Sequence, residues 1–255
     1  VVGMVHLLPL PGSPRYGGSM SQILDRARRD AEALVAGGVD GIIVENYGDT
    51  PFYPDGLPAT AISALTLAAA GVRAISDLPL GVNALRNDAA AALSIAAVTG
   101  ADFIRVNVHV GAMLTDQGWI SGRAHETVRM RAALNARVAI FADVMVKHSV
   151  PPHGLTIESA AADAYERANA DALLVSGAAT GAPADPEDAR RVKRVVPAAP
   201  LWVGSGVNAE NVVALLDTVD GVIVGSAFEK SGKAGAEVMV DQVRRLVDVV
   251  RSRHS

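Results

Sequence analysis

The sequence predicts a single (β/α)8 barrel spanning residues 1–255. Three observations carry that expectation: the length of one barrel, eight short β-rich runs each followed by a helical stretch, and a short motif recurring at every second run. The strand expectations are Val1–Leu7, Gly41–Glu45, Arg73–Asp77, Phe103–Val108, Val138–Val144, Ala172–Ser176, Leu201–Val203 and Gly221–Val224. Between them, Gln22–Ala36, Ala89–Val98, Ile157–Ala168 and Ala236–Val250 have helical period, and Asn208-Ala-Glu-Asn211 opens a further helix with a capping residue. A doubly wound open sheet shows the same alternation; strand count and length favour closure.

The recurring motif is Val39-Asp40-Gly-Ile-Ile-Val, Ala101-Asp102-Phe-Ile-Arg-Val, Ala170-Asp171-Ala-Leu-Leu-Val and Val219-Asp220-Gly-Val-Ile-Val. It falls on expected strands two, four, six and eight, as a doubled βα unit repeated around a ring would. Its aspartates precede their strands. They therefore belong to the face of the barrel that serves stability, not chemistry.

Composition narrows the function classes. Half of the chain is apolar, the formal charge is −4, and no basic stripe suits nucleic acid. Cysteine is absent, which removes disulfides and thiolate metal sites and fits a reducing cytoplasm. No apolar run reaches the length of a spanning helix, and the hydrophobic start, Val1 to Val5, lacks a basic leader and reads as a strand.

In this fold chemistry sits at the C-terminal ends of the strands. Those ends carry His6, Glu45 and Asn46, Asp77, then Arg105, Asn107 and His109 at alternate positions, and Asp143. Alternation points the trio on strand four to one side. A guanidinium inside a barrel needs a carboxylate, so Arg105 is expected to bridge Asp77 or Asp143 on the flanking strands, with Glu45 one strand further. Glu45 and Asp143 are the expected acid/base or nucleophile pair, His6 and Arg105 tune or orient them, Asp77 joins the catalytic set as a candidate partner of Arg105, and Asn46 or Asn107 binds sugar hydroxyls. Lys147 and His148 lie just past strand five; Lys147 reads foremost as a solvated loop lysine. A metal site from His6, His109 and carboxylates has no supporting spacing motif, and no cofactor is implied.

The sharpest signal lies near the end. Gly204-Ser205-Gly206 follows strand seven, Asn208 starts a helix, and strand eight ends in Gly225-Ser226. Glycine lets backbone N–H groups approach an anion, and barrels assemble phosphate sites from these two loops. After strand six, Ser176 and Gly177-Ala-Ala-Thr180-Gly181 reach toward the same ligand. The segment from His109 to His125 is long for a βα loop, the length of a lid or a subunit contact, with Trp119 facing a ligand or a neighbouring subunit; a homo-oligomer is one expectation.

The opening Gly3-Met4-Val5-His6-Leu7-Leu8-Pro9-Leu10-Pro11-Gly12-Ser13-Pro14 resembles the start of the BtpA/SgcQ family. Asp40 to Asn46, Phe103 to Asn107, Phe141-Ala-Asp143-Val, Leu174 to Gly177, Gly204 to Gly206 and Gly225-Ser-Ala227 are similar to the same family, so the likeness covers nearly the whole chain. It implies a barrel of the ribulose-phosphate-binding type. One branch is tied to photosystem I assembly at thylakoid membranes, another to sugar-utilisation gene clusters with nucleosidase-like labels. Two functions follow as expectations: an enzyme cleaving a glycosidic or N-ribosyl bond, or isomerising a sugar phosphate, and a non-catalytic assembly scaffold.

Overall fold

In a computed structural model that describes residues 1–177 and 180–253, the apolar runs form a closed parallel barrel. Its strands are β1 (Val2–His6), β2 (Gly41–Glu45), β3 (Leu80–Asn83), β4 (Phe103–Val106), β7 (Ala139–Asp143), β9 (Ala172–Val175), β10 (Leu201–Val203) and β11 (Gly221–Val224), hydrogen-bonded in that order and back to β1. Three short strands, β5 (Ala112–Thr115), β6 (Gly118–Ser121) and β8 (Ser149–Val150), form a separate antiparallel sheet. The helices are α1 (Met20–Gly37), α2 (Ala59–Arg73), α3 (Ala89–Thr99), α4 (Ala124–Ala133), α5 (Ile157–Ala162), α6 (Pro186–Val195), α7 (Val212–Leu216) and α8 (Val240–Ser252). A π turn over Asp163–Arg167 continues α5.

One strand expectation is corrected. Arg73–Asp77 is not the third strand: Arg73 closes α2, and the strand begins at Leu80. The apolar stripe Ala61, Ala64, Leu65, Ala68, Ala69 and Val72 is helical in period and buried, so Val72 and Arg73 belong to the last turn of that helix. Asp77 is therefore exposed ahead of β3, at the end of the barrel opposite the chemistry.

Every second residue of a strand faces the interior. Val2, Met4, Ile43, Phe103, Leu174 and Ile223 form a buried cluster there with Ala139, Phe141 and Trp202. Phe103 stacks on Phe141 with ring centres 4.7 Å apart, and Trp202 tilts against Phe141 at 5.4 Å. These rings plug the barrel and give the next layer up a dry floor. The larger apolar core lies between barrel and helices, where Val5, Ile42, Val82, Ile104, Ile140 and Leu173 meet Leu34, Leu65 and Leu93.

Three of the four repeated aspartates share one job. Asp102 accepts from the Leu80 N–H and Arg73, Asp171 from the Ile140 N–H and Arg131, and Asp220 from the Leu201 N–H and Lys193. Each carboxylate thus satisfies a donor at the start of the neighbouring strand and anchors a cation late in the preceding helix. Asp40 takes the Val1 amine at 2.7 Å.

The long segment after β4 folds as the β5–β6 hairpin, which pairs with β8. Met113 and Ile120 turn inward onto Val108 and Val146, whereas Leu114, Trp119 and Val150 are exposed in one cross-strand row.

Candidate active site

The layer above the aromatic floor is polar because the next inward position is polar on six of the eight strands, with Gly204 and Gly225 on the other two. Strand register sets His6 beside Glu45, Glu45 beside Asn83, and Asn83 beside Arg105. All four are buried. Asn83 thus holds the place at the third strand end that the sequence reading gave to Asp77.

Arg105 donates through Nε to Asp143 Oδ1 and through Nη2 to Asp143 Oδ2, both at 3.0 Å, and Asn107 Nδ2 donates to the same Oδ2 at 2.9 Å. Burial works against the Arg105 charge, but the Asp143 carboxylate outweighs it and holds the guanidinium above its usual pKa. The expected Arg105–Asp143 bridge is present. Asp77 takes no part in it, because its strand assignment was displaced.

Two corrections concern the ends of strands four and two. β4 ends at Val106, so His109 does not stay in line with Arg105 and Asn107. Its Nε2 bonds the Ala168 carbonyl at 3.0 Å, among α4 and the turn after α5, and His6 and His109 do not converge. Asn46 is fully buried, giving Nδ2 to Asp49 and the Leu85 carbonyl and receiving the Leu85 N–H at Oδ1; it ties two loops together, with both of its amide hydrogens engaged.

His6 is held by a residue the sequence reading missed. Its Nδ1 meets Glu229 Oε1 at 2.6 Å, and Glu229 Oε2 accepts the Gly235 N–H at 3.1 Å. Nε2 then faces Glu45 Oε1 at 3.7 Å, and the ring lies 4.5 Å from that of Tyr47. Glu45 lines a cavity of about 390 Å³ with Tyr47, Arg86, Asn107, Lys147 and Thr180; Asp116, at the tip of the β5–β6 hairpin, closes one side.

Two cations face this cavity. Burial lowers the pKa of Arg86, against the pull of Asp143 and Glu45, and its Nη2 donates to the Lys147 carbonyl at 2.6 Å. Lys147 is half-buried, not the solvated loop lysine expected; burial first, then the Arg105 charge, pushes its ammonium below the usual lysine range. His148 Nε2 lies 3.0 Å from both the Thr180 N–H and the Thr180 hydroxyl; burial, Lys147 and Arg86 all lower its pKa.

The glycine corner lies beside this cavity. Gly181, Gly204, Ser205, Gly206, Val207, Gly225 and Ser226 line a small pocket with His6, Thr180 and Lys147. Its glycines are required by close approach. A Cβ on Gly225 would lie 2.8 Å from His6 Cε1, one on Gly204 would crowd Arg105 Nη2 at 3.2 Å, and one on Gly206, at φ +65°, would overlap the Ala182 and Pro183 backbone. Ser176 follows β9 with its hydroxyl buried and without a hydrogen-bond partner among the described residues; Gly177 is packed against the Ala182 backbone. Ala178 and Ala179, in the same loop, lie outside the described residues.

Asn208 is not part of this corner. Its side chain accepts the Glu210 and Asn211 N–H groups, and its own N–H is taken by Asn211 Oδ1, so it caps the turn into α7. Asn83, Arg86, Lys147 and Glu229 are the residues that sequence reasoning undervalued. Ending the preceding helix at Arg73 would have exposed the first two, since Leu80-Gly-Val-Asn83 then reads as a strand with Arg86 just beyond it.

The solved structures with this architecture include thiamine phosphate pyrophosphorylase from Pyrococcus furiosus (TM-score 0.61, 18% identity, 98% of this chain and 94% of that one). Phosphoribosyl anthranilate isomerase from Thermus thermophilus aligns at TM-score 0.59 and 12% identity over 99% and 98% of the two chains. At these identities the likeness establishes the barrel alone. Relatives in sequence are closer. The photosystem I biogenesis protein BtpA of Synechocystis is 43% identical over 250 residues, 98% of this chain and 87% of that protein. An uncharacterized protein of Thermococcus kodakarensis is 44% identical over 98% and 95% of the two chains. The BtpA family model matches residues 1–252, and the chain belongs to the BtpA family.

Proposed function

We propose that the protein is an enzyme acting on a phosphorylated sugar or nucleotide-like ligand laid across the barrel mouth. The carrying observation is that Lys147 and Thr180 line both the glycine corner and the cavity that holds Glu45. An anion-binding end and an acid/base end therefore belong to one continuous site. Backbone N–H groups of the Gly204–Gly206 and Gly225–Ser226 turns, the Ser205 and Ser226 hydroxyls and the Lys147 charge suit a phosphate. The names of the solved barrels, with their phosphate and phosphoribosyl ligands, support the same reading.

Glu45 is the reactive carboxylate on this reading. It faces the cavity, and its one ion pair among the described residues is the 3.7 Å contact with His6. Asp143, with both oxygens engaged, is a positioning residue for Arg105 and Asn107. In hydrolysis Glu45 takes a proton from water as the water oxygen bonds to the anomeric carbon. The bond to the leaving group breaks with its electron pair, and water in the mouth protonates the leaving atom. A sugar-phosphate isomerisation uses the same base at a C–H bond.

A thermal-shift screen with ribose 5-phosphate and other sugar phosphates tests the binding end, because ligands of the native state raise its melting temperature. On any substrate so found, Glu45→Gln should cost about 10²–10⁴-fold in kcat. Unchanged turnover in that variant would sink the assignment.

A second reading, an assembly factor, is favoured by the name of the Synechocystis relative and by the exposed row Leu114, Trp119 and Val150. On it the small sheet docks another protein, and a Trp119→Ala variant loses that complex while keeping its fold. Light scattering would identify a second copy of the chain as the occupant instead.

A further inference from the structure

The proline-rich opening of the chain takes no part in the chemistry described so far, yet it walls a second cavity. Pro11, Gly12, Ser13 and Pro14 face Pro51, Phe52, Tyr53, Pro54, Leu57 and Pro58 across a space of about 300 Å³, with Ala61 and Leu85 completing it. That volume is at the lower end for a small-molecule site, and the lining is mostly apolar. Five of these residues are prolines, whose fixed φ keeps the walls in shape without a ligand.

Two features tie this space to the active site. Phe52 and Leu85 line both the apolar space and the cavity of Glu45. The Tyr53 carbonyl accepts the Arg86 N–H at 3.0 Å, so the wall is fastened to a residue of the site. The order across the barrel mouth is then glycine corner, joined through Lys147 and Thr180 to the Glu45 chamber, joined through Phe52 and Leu85 to the apolar space.

One polar side chain of the lining has its polar end sealed off from the space. The Ser13 hydroxyl is buried with no hydrogen-bond partner among the described residues. The other polar side chains of the lining, Asn46 and Asp49, bond one another, and Asp49 Oδ1 also accepts the Leu10 N–H at 2.7 Å. Flat, mostly apolar walls stiffened by proline suit a planar ring with apolar faces.

We propose that the apolar space is the subsite for a heteroaromatic ring carried by the phosphorylated sugar, so that the ligand is a ribonucleoside 5′-monophosphate or a close analogue. The inference rests on the phosphate-binding reading above and narrows it. With the phosphate at the glycine corner, the sugar lies over Glu45 and the ring reaches the proline-lined space. The bond joining ring and sugar is then the one presented to the acid/base chamber.

Calorimetric titration separates the two ideas. Wild-type protein is titrated with ribose 5-phosphate and with purine, pyrimidine and pyridine ribonucleoside 5′-monophosphates, alongside Leu57→Trp, which fills the space, and Tyr53→Ala, which strips an exposed wall and leaves the core untouched. At least one nucleotide should bind ten-fold or more tightly than ribose 5-phosphate. Leu57→Trp should erase that advantage and Tyr53→Ala reduce it several-fold, with ribose 5-phosphate affinity unchanged in both. If ribose 5-phosphate binds but no nucleotide binds better, or if Tyr53→Ala and a folded Leu57→Trp keep the full advantage, the subsite is overturned while the phosphate reading stands. Binding of neither class of probe overturns both.

Discussion

Arg105 and Asp143 meet through two parallel hydrogen bonds of 3.0 Å in a pair almost sealed from solvent. Breaking one side of such a pair leaves an uncompensated charge above a floor of aromatic rings. Asp143→Ala should therefore lower unfolding stability by about 3–5 kcal/mol in urea titrations. Joint replacement by Arg105→Met and Asp143→Leu should recover much of that loss. A single variant as stable as wild type would show that the pair is hydrated in solution.

The lowered pKa of Lys147 gives the phosphate reading a pH signature. Its ammonium attracts an anion only while protonated, and burial together with the Arg105 charge moves the loss of that proton below the normal lysine range. Above the second phosphate pKa of about 6, where the ligand is dianionic, ribose 5-phosphate affinity should thus fall with rising pH, and should do so below the pH at which an ordinary lysine deprotonates. Lys147→Met should bind more weakly throughout and lose that fall. An identical pH profile in the variant would remove Lys147 from the anion site.

An added methyl at position 225 would press on His6 Cε1 at 2.8 Å. Gly225→Ala should push His6 off Glu229 and cost about 1–3 kcal/mol of stability, the range for overpacking. The His6 imidazole resonances, followed by NMR, should report the lost Glu229 hydrogen bond. Unmoved resonances would mean that the ring has room.

The aspartates below the barrel supply a control. Asp220→Ala removes the acceptor of the Leu201 N–H and the partner of Lys193. It should cost about 1–3 kcal/mol in denaturation, for loss of a charged acceptor, with ribose 5-phosphate affinity unchanged. A large loss of binding would contradict the separation of a stability face from a chemical face.

Much of this was legible in the residues. Seven of the eight barrel strands overlap the expected runs, because apolar stretches closed by a polar inward residue signal strand ends facing a site. Arg105 announced a carboxylate partner, since a cation on an inward position demands one nearby; the sequence offered Asp77, Asp143 and Glu45, and the fold selects Asp143. The third strand was misplaced because the Val72-Arg73-Ala-Ile75 run satisfies a strand pattern and the end of a helical stripe equally well. Only the stripe back to Ala61 distinguishes them, and the error carried Asp77 into the site and left Asn83 and Arg86 out.

The sequence by itself determined the barrel, the polar strand ends and the glycine corner, because periodicity and glycine placement are local and act through sterics and burial. Tertiary structure decided the rest. Glu229 reaches His6 from 223 residues away, Asn46 and Asn208 are consumed by loop and cap hydrogen bonds, and Lys147 is drawn in from its loop. Such outcomes depend on which donors and acceptors long-range folding brings within about 3 Å of one another, a distance no spacing along the chain encodes.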